Sequence, residues 1–171
     1  LQEYGMALEK FDTLFQEKEA TFSVKSLELW CNCKIKVLSE MGNTMDRELL
    51  KNELAITSKK MNDLLDLGKT SERHNLMGSI QKRRFLILDR KGEQQKAIRD
   101  SADHYRMAYE IDQQIYSLTG WIIAEKLIDD QERLHKMDEA LDKNALEYIE
   151  KMMDDLAANK KNHDKFWDII K

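Results

Sequence analysis

Not one of the 171 residues is proline, and this absence constrains the fold more than any motif in the chain. Proline and glycine supply most of the tight turns of β-sandwiches and barrels, and only 6 glycines are present. What remains is a set of helices joined by short polar turns. A balance of 35% charged and 42% hydrophobic residues is too apolar for a disordered acidic tail and too often broken by charge for a membrane span. At this length one well-buried core is expected, so residues 1–171 read as a single all-α domain. The chain opens at Leu1 inside a helical pattern rather than at methionine, which reads as a piece of a longer protein or a processed chain.

Apolar residues recur at the three-and-four spacing of one helical face. A first helix, about 1–18, carries Tyr4, Ala7, Leu8, Phe11, Leu14 and Phe15. A second, about 23–41, carries Leu27, Trp30, Val37 and Leu38 and stops at Gly42-Asn43. The third starts from an Asn43 or Thr44 cap, includes Leu50, Leu54, Met61, Leu64 and Leu65, and ends at Gly68. Thr70 or Ser71 begins a fourth with Leu76, Met77, Ile80, Phe85 and Leu88, which ends in a turn over 89–92. The fifth, about 94–111, presents Ala97, Ile98, Ser101, Tyr105 and Ala108, and the sixth, about 115–129, presents Leu118, Trp121, Ile122 and Leu127. Residues 131–142 either extend the sixth helix or form a loop. A seventh helix is expected over 144–158 and an eighth from Phe166-Trp167, giving seven to eight in all. Short connectors oblige neighbours to run antiparallel, as helical hairpins.

An internal echo separates a stack of hairpins from a closed bundle. Leu76-Met77-Gly78-Ser79-Ile80 and Leu118-Thr119-Gly120-Trp121-Ile122 share an apolar-x-Gly-x-Ile pattern with the glycines 42 positions apart, close to a helical-repeat period. Glycine inside a helix costs about 1 kcal/mol relative to alanine, so Gly78 and Gly120 mark places where another helix comes too close for a side chain. One helix later Ser101, Tyr105 and Ala108 stand four and three apart, as Ala7, Phe11 and Leu14 do near the start. A small-aromatic-small helix following a glycine-bearing one is similar to the tetratricopeptide repeat.

The run 70–79, then Lys82-Arg83, then 102–112 resembles the helical repeat region of bacterial proteins related to the TRAF-binding region of the apoptosis signal-regulating kinases, and Phe166-Trp167-Asp168 is similar to that group as well. The proline usual near the end of a tetratricopeptide repeat is absent, with Gln113 near that place. The resemblance implies stacked hairpins in a tetratricopeptide-like superhelix, acting as a regulatory or scaffolding segment beside other domains of a larger signalling-type protein. It implies no particular ligand.

Little in the chain points to chemistry. A net charge of -4 and a pI near 5.7 give no general attraction to nucleic acid or anionic lipid. Cys31 and Cys33 lie two apart on a helix, about 200° around its axis from each other, so they cannot bridge and read as reduced thiols of a cytoplasmic protein. No Gly-rich phosphate loop, spaced nucleophile and base, or carboxylate cluster is visible, so neither catalysis nor a cofactor is expected. Glu132-x-x-His135 has metal-ligand spacing, but a second copy is missing and Asp100 with His104 offers only two ligands. None of His74, His104, His135 and His163 forms a zinc pattern with the cysteines.

The basic run Lys82-Arg83-Arg84, followed by Arg90-Lys91, could face an acidic peptide or phosphate; read structurally it is a solvated face balanced by Asp89, Glu93 and Asp100. Trp30 and Trp121 sit on apolar stripes and read as core. The chain therefore reads as a non-catalytic interaction domain for a protein, a peptide or a neighbouring domain. Asn75, Lys82, Arg83 and Lys126 are the candidate contact residues beside the glycine-bearing helices. The alternative is a closed bundle with an internal metal or small ligand at Glu132, His135 and His104.

Overall fold

A computed structural model describes residues 2–16, 23–41 and 44–128. Among them are six helices and no strand: α1 (Gln2–Gln16), α2 (Val24–Met41), α3 (Arg47–Leu67), α4 (Ser71–Ile87), α5 (Lys91–Asp112) and α6 (Ile115–Ile128). The expected count of seven to eight exceeds these six. The seventh and eighth helices, the Gly42-Asn43 stop, Glu132 and His135 all lie outside the described residues.

Each helix packs on the next in sequence, and α2 also meets α4, which in turn meets α6. Alternate helices α2, α4 and α6 thus form one layer, with α1, α3 and α5 behind it, as connectors of a few residues require. One apolar cluster joins α1 to α4 through Leu8, Trp30, Ile35, Leu54, Met61, Met77 and Ile80. A second joins α5 and α6 through Ile98, Ala102, Leu118, Trp121 and Ile122, with Phe85 of α4 packed against it. Helix α4 therefore serves both cores, and its low amphipathicity follows from having neighbours on several sides. The outer residues of α1 fit the expected face less well, since Tyr4 and Leu14 are exposed while Leu8 is buried.

The helix ends show why two boundaries differ from the sequence expectation. Asp46, rather than Asn43 or Thr44, caps α3, its Oδ1 accepting from the backbone N–H of Glu48 and Leu49 at 3.0 Å each. Thr44 instead donates its hydroxyl to the Met41 carbonyl. Helix α5 begins at Lys91, three residues before the expected Gln94, with no side-chain cap. Gln113 ends it in the left-handed conformation at φ 53°, its N–H donating to the Tyr109 carbonyl at 2.8 Å.

A buried ion pair ties the front layer to the α3–α4 turn. Arg73 Nε donates to Glu28 Oε1 at 2.6 Å, while its Nη1 reaches the carbonyls of Leu64 and Gly68. Burial alone would raise the Glu28 carboxyl, but the bonds from Arg73 and Lys25 outweigh it and hold the group below its ordinary value.

Candidate functional site

The site is built around one ring. Tyr105, 1% exposed on α5, lies between the two helical glycines of α4 and α6. A β-carbon on Gly78 would fall 2.9 Å from the ring's Cδ2, and one on Gly120 would fall 2.6 Å from Cδ1. The 42-residue echo therefore does not give each glycine an aromatic of its own: both clear space for the two faces of Tyr105. Ser101, one turn earlier, donates its hydroxyl to the Gly78 carbonyl at 2.8 Å, and Ala108, one turn later, is fully buried. Small residues at these two places let the α5 backbone approach α4 and α6 closely enough to seat the ring.

Beside the ring, α4 presents Asn75, Ser79, Lys82 and Arg83, spaced so that they share a face. Lys82 is only 5% exposed, and its Nζ stands 5.8 Å from the centroid of the Tyr105 ring. That is cation–π range. Burial first, then the neighbouring Arg83 charge, brings the Lys82 ammonium down to about 7. Arg83 donates through Nη1 to both the carbonyl and the hydroxyl of Ser79, and its buried Nε has no hydrogen-bond partner. Burial lowers the Arg83 guanidinium from its ordinary value, with Tyr105 and Tyr116 opposing.

Tyr116, in the first turn of α6 and 36% exposed, meets the Tyr105 ring edge-on at 6.2 Å. The Tyr105 hydroxyl is buried and closes no hydrogen bond, although Ser79 and Tyr116 stand near enough to influence it. Burial, more than Tyr116, drives that phenol well above its usual range. Asn75 Nδ2 donates to Ser117 Oγ at 3.0 Å, joining α4 to α6, while its carboxamide oxygen is buried without a partner.

Three of the four candidate contact residues, Asn75, Lys82 and Arg83, thus share this α4 face. Lys126 is exposed in the last turn of α6, ten residues or about 15 Å along the helix from Tyr116, and is not part of the cluster. The reading of Lys82 and Arg83 as a solvated face balanced by nearby acids is corrected. Glu93 does pair with Arg90 of the same basic run, whereas Asp89 pairs with Arg47 and Lys51 and Asp100 with Lys96. Sequence reasoning missed Ser79 and Tyr116. Ser79 at four before Arg83 was a readable signal, whereas Tyr116 becomes a neighbour only through the α4–α6 contact.

The histidines also form an arrangement that spacing did not announce. His74 on α4 and His104 on α5 face each other with Nδ1 atoms 3.0 Å apart and ring centroids 5.3 Å apart, so the rings meet tip to tip. Burial and Lys69 lower His74; burial and His74 bring His104 down to about 4, against the pull of Asp100 and Asp103. Both are neutral at physiological pH, one donating its Nδ1 proton to the other. Among the described residues no three of His, Cys, Asp and Glu are grouped to hold a metal. Cys31 and Cys33 are free thiols, and burial pushes Cys31 up to about 12. No described helix is long and apolar enough to cross a membrane.

No curated protein and no solved structure gives a significant match to the chain. A family model does: that of the Tetratricopeptide Repeats-Sensor, over residues 3–125, which takes in α2 to α5 whole and most of α1 and α6. Repeats of this type generally mediate protein interactions and are generally non-catalytic. The matched span contains both glycines and the ring they enclose, and the chain belongs to the Tetratricopeptide Repeats-Sensor family.

Proposed function

We propose that this chain is a regulatory interaction domain of a larger protein, and that it receives a protein or peptide segment on the α4–α6 face around Arg83. One observation supports the reading: buried polar atoms of Asn75, Arg83 and Tyr105, on two adjoining helices, have no hydrogen-bond partner among the described residues. Folded proteins satisfy nearly all such atoms, so each one left open needs an explanation, and a bound partner is the one proposed. The stack supports them on rigid elements, with Tyr105 fixed from both sides. Among the described residues of this neighbourhood no base is positioned against a nucleophile, and recognition rather than turnover is the work proposed for it.

Site-specific photo-crosslinking in the intact parent protein tests this. A photoreactive residue replacing Tyr116, at the mouth of the site, should give a discrete adduct with another protein or another domain. The same residue replacing Ile56, exposed on α3 in the other layer, should not. Adducts at position 56 with none at 116 would place the interaction elsewhere and overturn the proposal.

A further inference from the structure

His74 and His104 join α4 to α5 through a contact that has room for one proton. We propose that this pair is a proton-operated latch: one bridging proton keeps the α4–α5 seam closed beside Tyr105, and a proton on both facing nitrogens expels the His104 ring and loosens the seam there. The latch belongs to the fold of this chain; that it also regulates partner docking rests on the interaction reading above.

The ring centroids are farther apart than the Nδ1 atoms by about two ring radii, so the facing nitrogens lie on the line between the rings and point at each other. At 3.0 Å that line carries an N–H···N hydrogen bond, one ring donating and the other accepting. A first added proton leaves the bond in place, because the charged ring donates and the neutral ring still accepts. The second puts an N–H on each side of a 3.0 Å gap, which has no room for both hydrogens. One ring must then leave the line. His74 is 3% exposed whereas His104 is half-buried, so His104 is the ring with solvent to swing into.

The surroundings keep the pair bridged at neutral pH. Burial disfavours a cation on either ring; Lys69 in the α3–α4 turn adds to this at His74, and charge on His74 adds to it at His104. His74 also stands in the first turn of α4, the helix end that disfavours positive charge. Asp100 and Asp103 of α5 pull the other way on His104, and burial prevails. Asp100 is shared with Lys96, while Glu72 and Arg73, just before His74, are engaged by Lys25 and Glu28 of α2. Helix α6 meets this stretch through the neutral Ser117. The second proton therefore binds well into the acid range, at about pH 4.

What the latch holds follows from its neighbours. Gly78 lies one turn after His74 on α4 and Ser101 one turn before His104 on α5, so the imidazole bridge and the Ser101–Gly78 bond are successive rungs of one antiparallel seam. Asn75, next to His74, donates to Ser117 of α6. Tyr105, next to His104, is the ring seated between Gly78 and Gly120. Losing the imidazole rung therefore loosens the Asn75 link and the Tyr105 seat together, and both lie on the face where docking is proposed.

Imidazole nitrogen NMR on the intact chain, from about pH 7.5 to about pH 3.5, tests the latch. A scalar coupling between the two Nδ1 nuclei across the shared proton is expected at neutral pH. It should survive the first proton uptake and vanish with the second, at a midpoint of about pH 4. The Asn75 side-chain amide and the Tyr105 ring signals should shift with the same midpoint, with helix content by circular dichroism unchanged through the step. In His104→Gln neither reporter should show a step in this range. No coupling at neutral pH, loss of coupling at the ordinary histidine value of about 6.5, reporters that stay flat while the coupling vanishes, or global unfolding at the same midpoint overturns the latch. These outcomes are read on the unaltered chain, so they do not depend on how the variant folds. Crosslinking from position 116 at neutral pH reports the interaction reading separately, so either can fail while the other stands.

Discussion

The Tyr105 ring lies so near Gly120 that a β-carbon on the glycine would stand 2.6 Å from Cδ1 and 2.7 Å from Cε1 and Cγ. Because the ring is fully buried, it cannot swing away as an exposed side-chain end could. Gly120→Ala gains about 1 kcal/mol of helix propensity but forces an overpacked contact costing roughly 1–3 kcal/mol. Net destabilisation of about 1 kcal/mol is expected in urea unfolding, larger than for Gly78→Ala, where the gap is 2.9 Å. The Tyr105→Leu background should remove most of the difference, since the two positions are coupled. Alanine stabilising the chain at position 120 would show that the ring is not held from that side.

Lys82 is buried beside Arg83. In the folded chain the ammonium is brought down to about 7 from an ordinary value of 10.5, so stability should rise as pH climbs from about 7 to about 10. Replacing a buried charge by an apolar side chain of like length often stabilises by about 1–3 kcal/mol. Lys82→Met is therefore expected to raise the unfolding midpoint at pH 7 and to flatten that alkaline rise. A variant less stable than the parent at pH 7 would mean that the ammonium is a structural contact.

The His74–His104 pair sets an acid limit. Both imidazoles are lowered in the folded chain, so their contribution is complete above the ordinary histidine value near 6.5 and declines as pH falls from there toward about 4. When both nitrogens carry protons, two N–H groups confront each other across 3.0 Å. His104→Gln should be less dependent on pH across that window than the parent, measured by thermal melts at half-unit steps. Parallel melting curves for the two proteins would contradict the assignment.

The Arg73–Glu28 pair acts at lower pH and with greater effect. Its carboxyl is held below 4.5, so its contribution is present at and above that value and is lost as pH falls through the folded-state titration. Glu28→Gln leaves a buried guanidinium against a neutral amide, with an expected loss of about 3 kcal/mol at pH 7. Denaturant titration at pH 7 measures this, and a change below about 0.5 kcal/mol would put the pair in the class of surface ion pairs.

How far the sequence could be read depended on whether a residue's local cost betrayed its role. Gly78 and Gly120 were legible because glycine within a helix needs a reason, and close approach is the usual one. Ser101, Tyr105 and Ala108 were legible because their spacing places them on one face. That both glycines serve a single ring was not, since nothing local tells which helix stands between them. Lys82 and Arg83 looked like solvent-facing cations because consecutive charges usually are. Their burial follows from α4 having neighbours on several sides, a property of the assembled layers. His74 and His104, 30 residues apart, meet only when α4 and α5 are docked. The α3 boundary shifted because Asn43, Thr44 and Asp46 are all good caps, and only geometry shows that the Asp46 carboxylate reaches the free N–H groups.

The central claim is that partners meet this domain at the open Arg83 face, and photo-crosslinking from position 116 in the Arg83→Gln background of the intact parent protein tests it most directly. The adduct formed with Arg83 in place should fall about tenfold in Arg83→Gln, equivalent to about 1.4 kcal/mol, and circular dichroism should show the fold retained. An adduct undiminished by Arg83→Gln would contradict the claim.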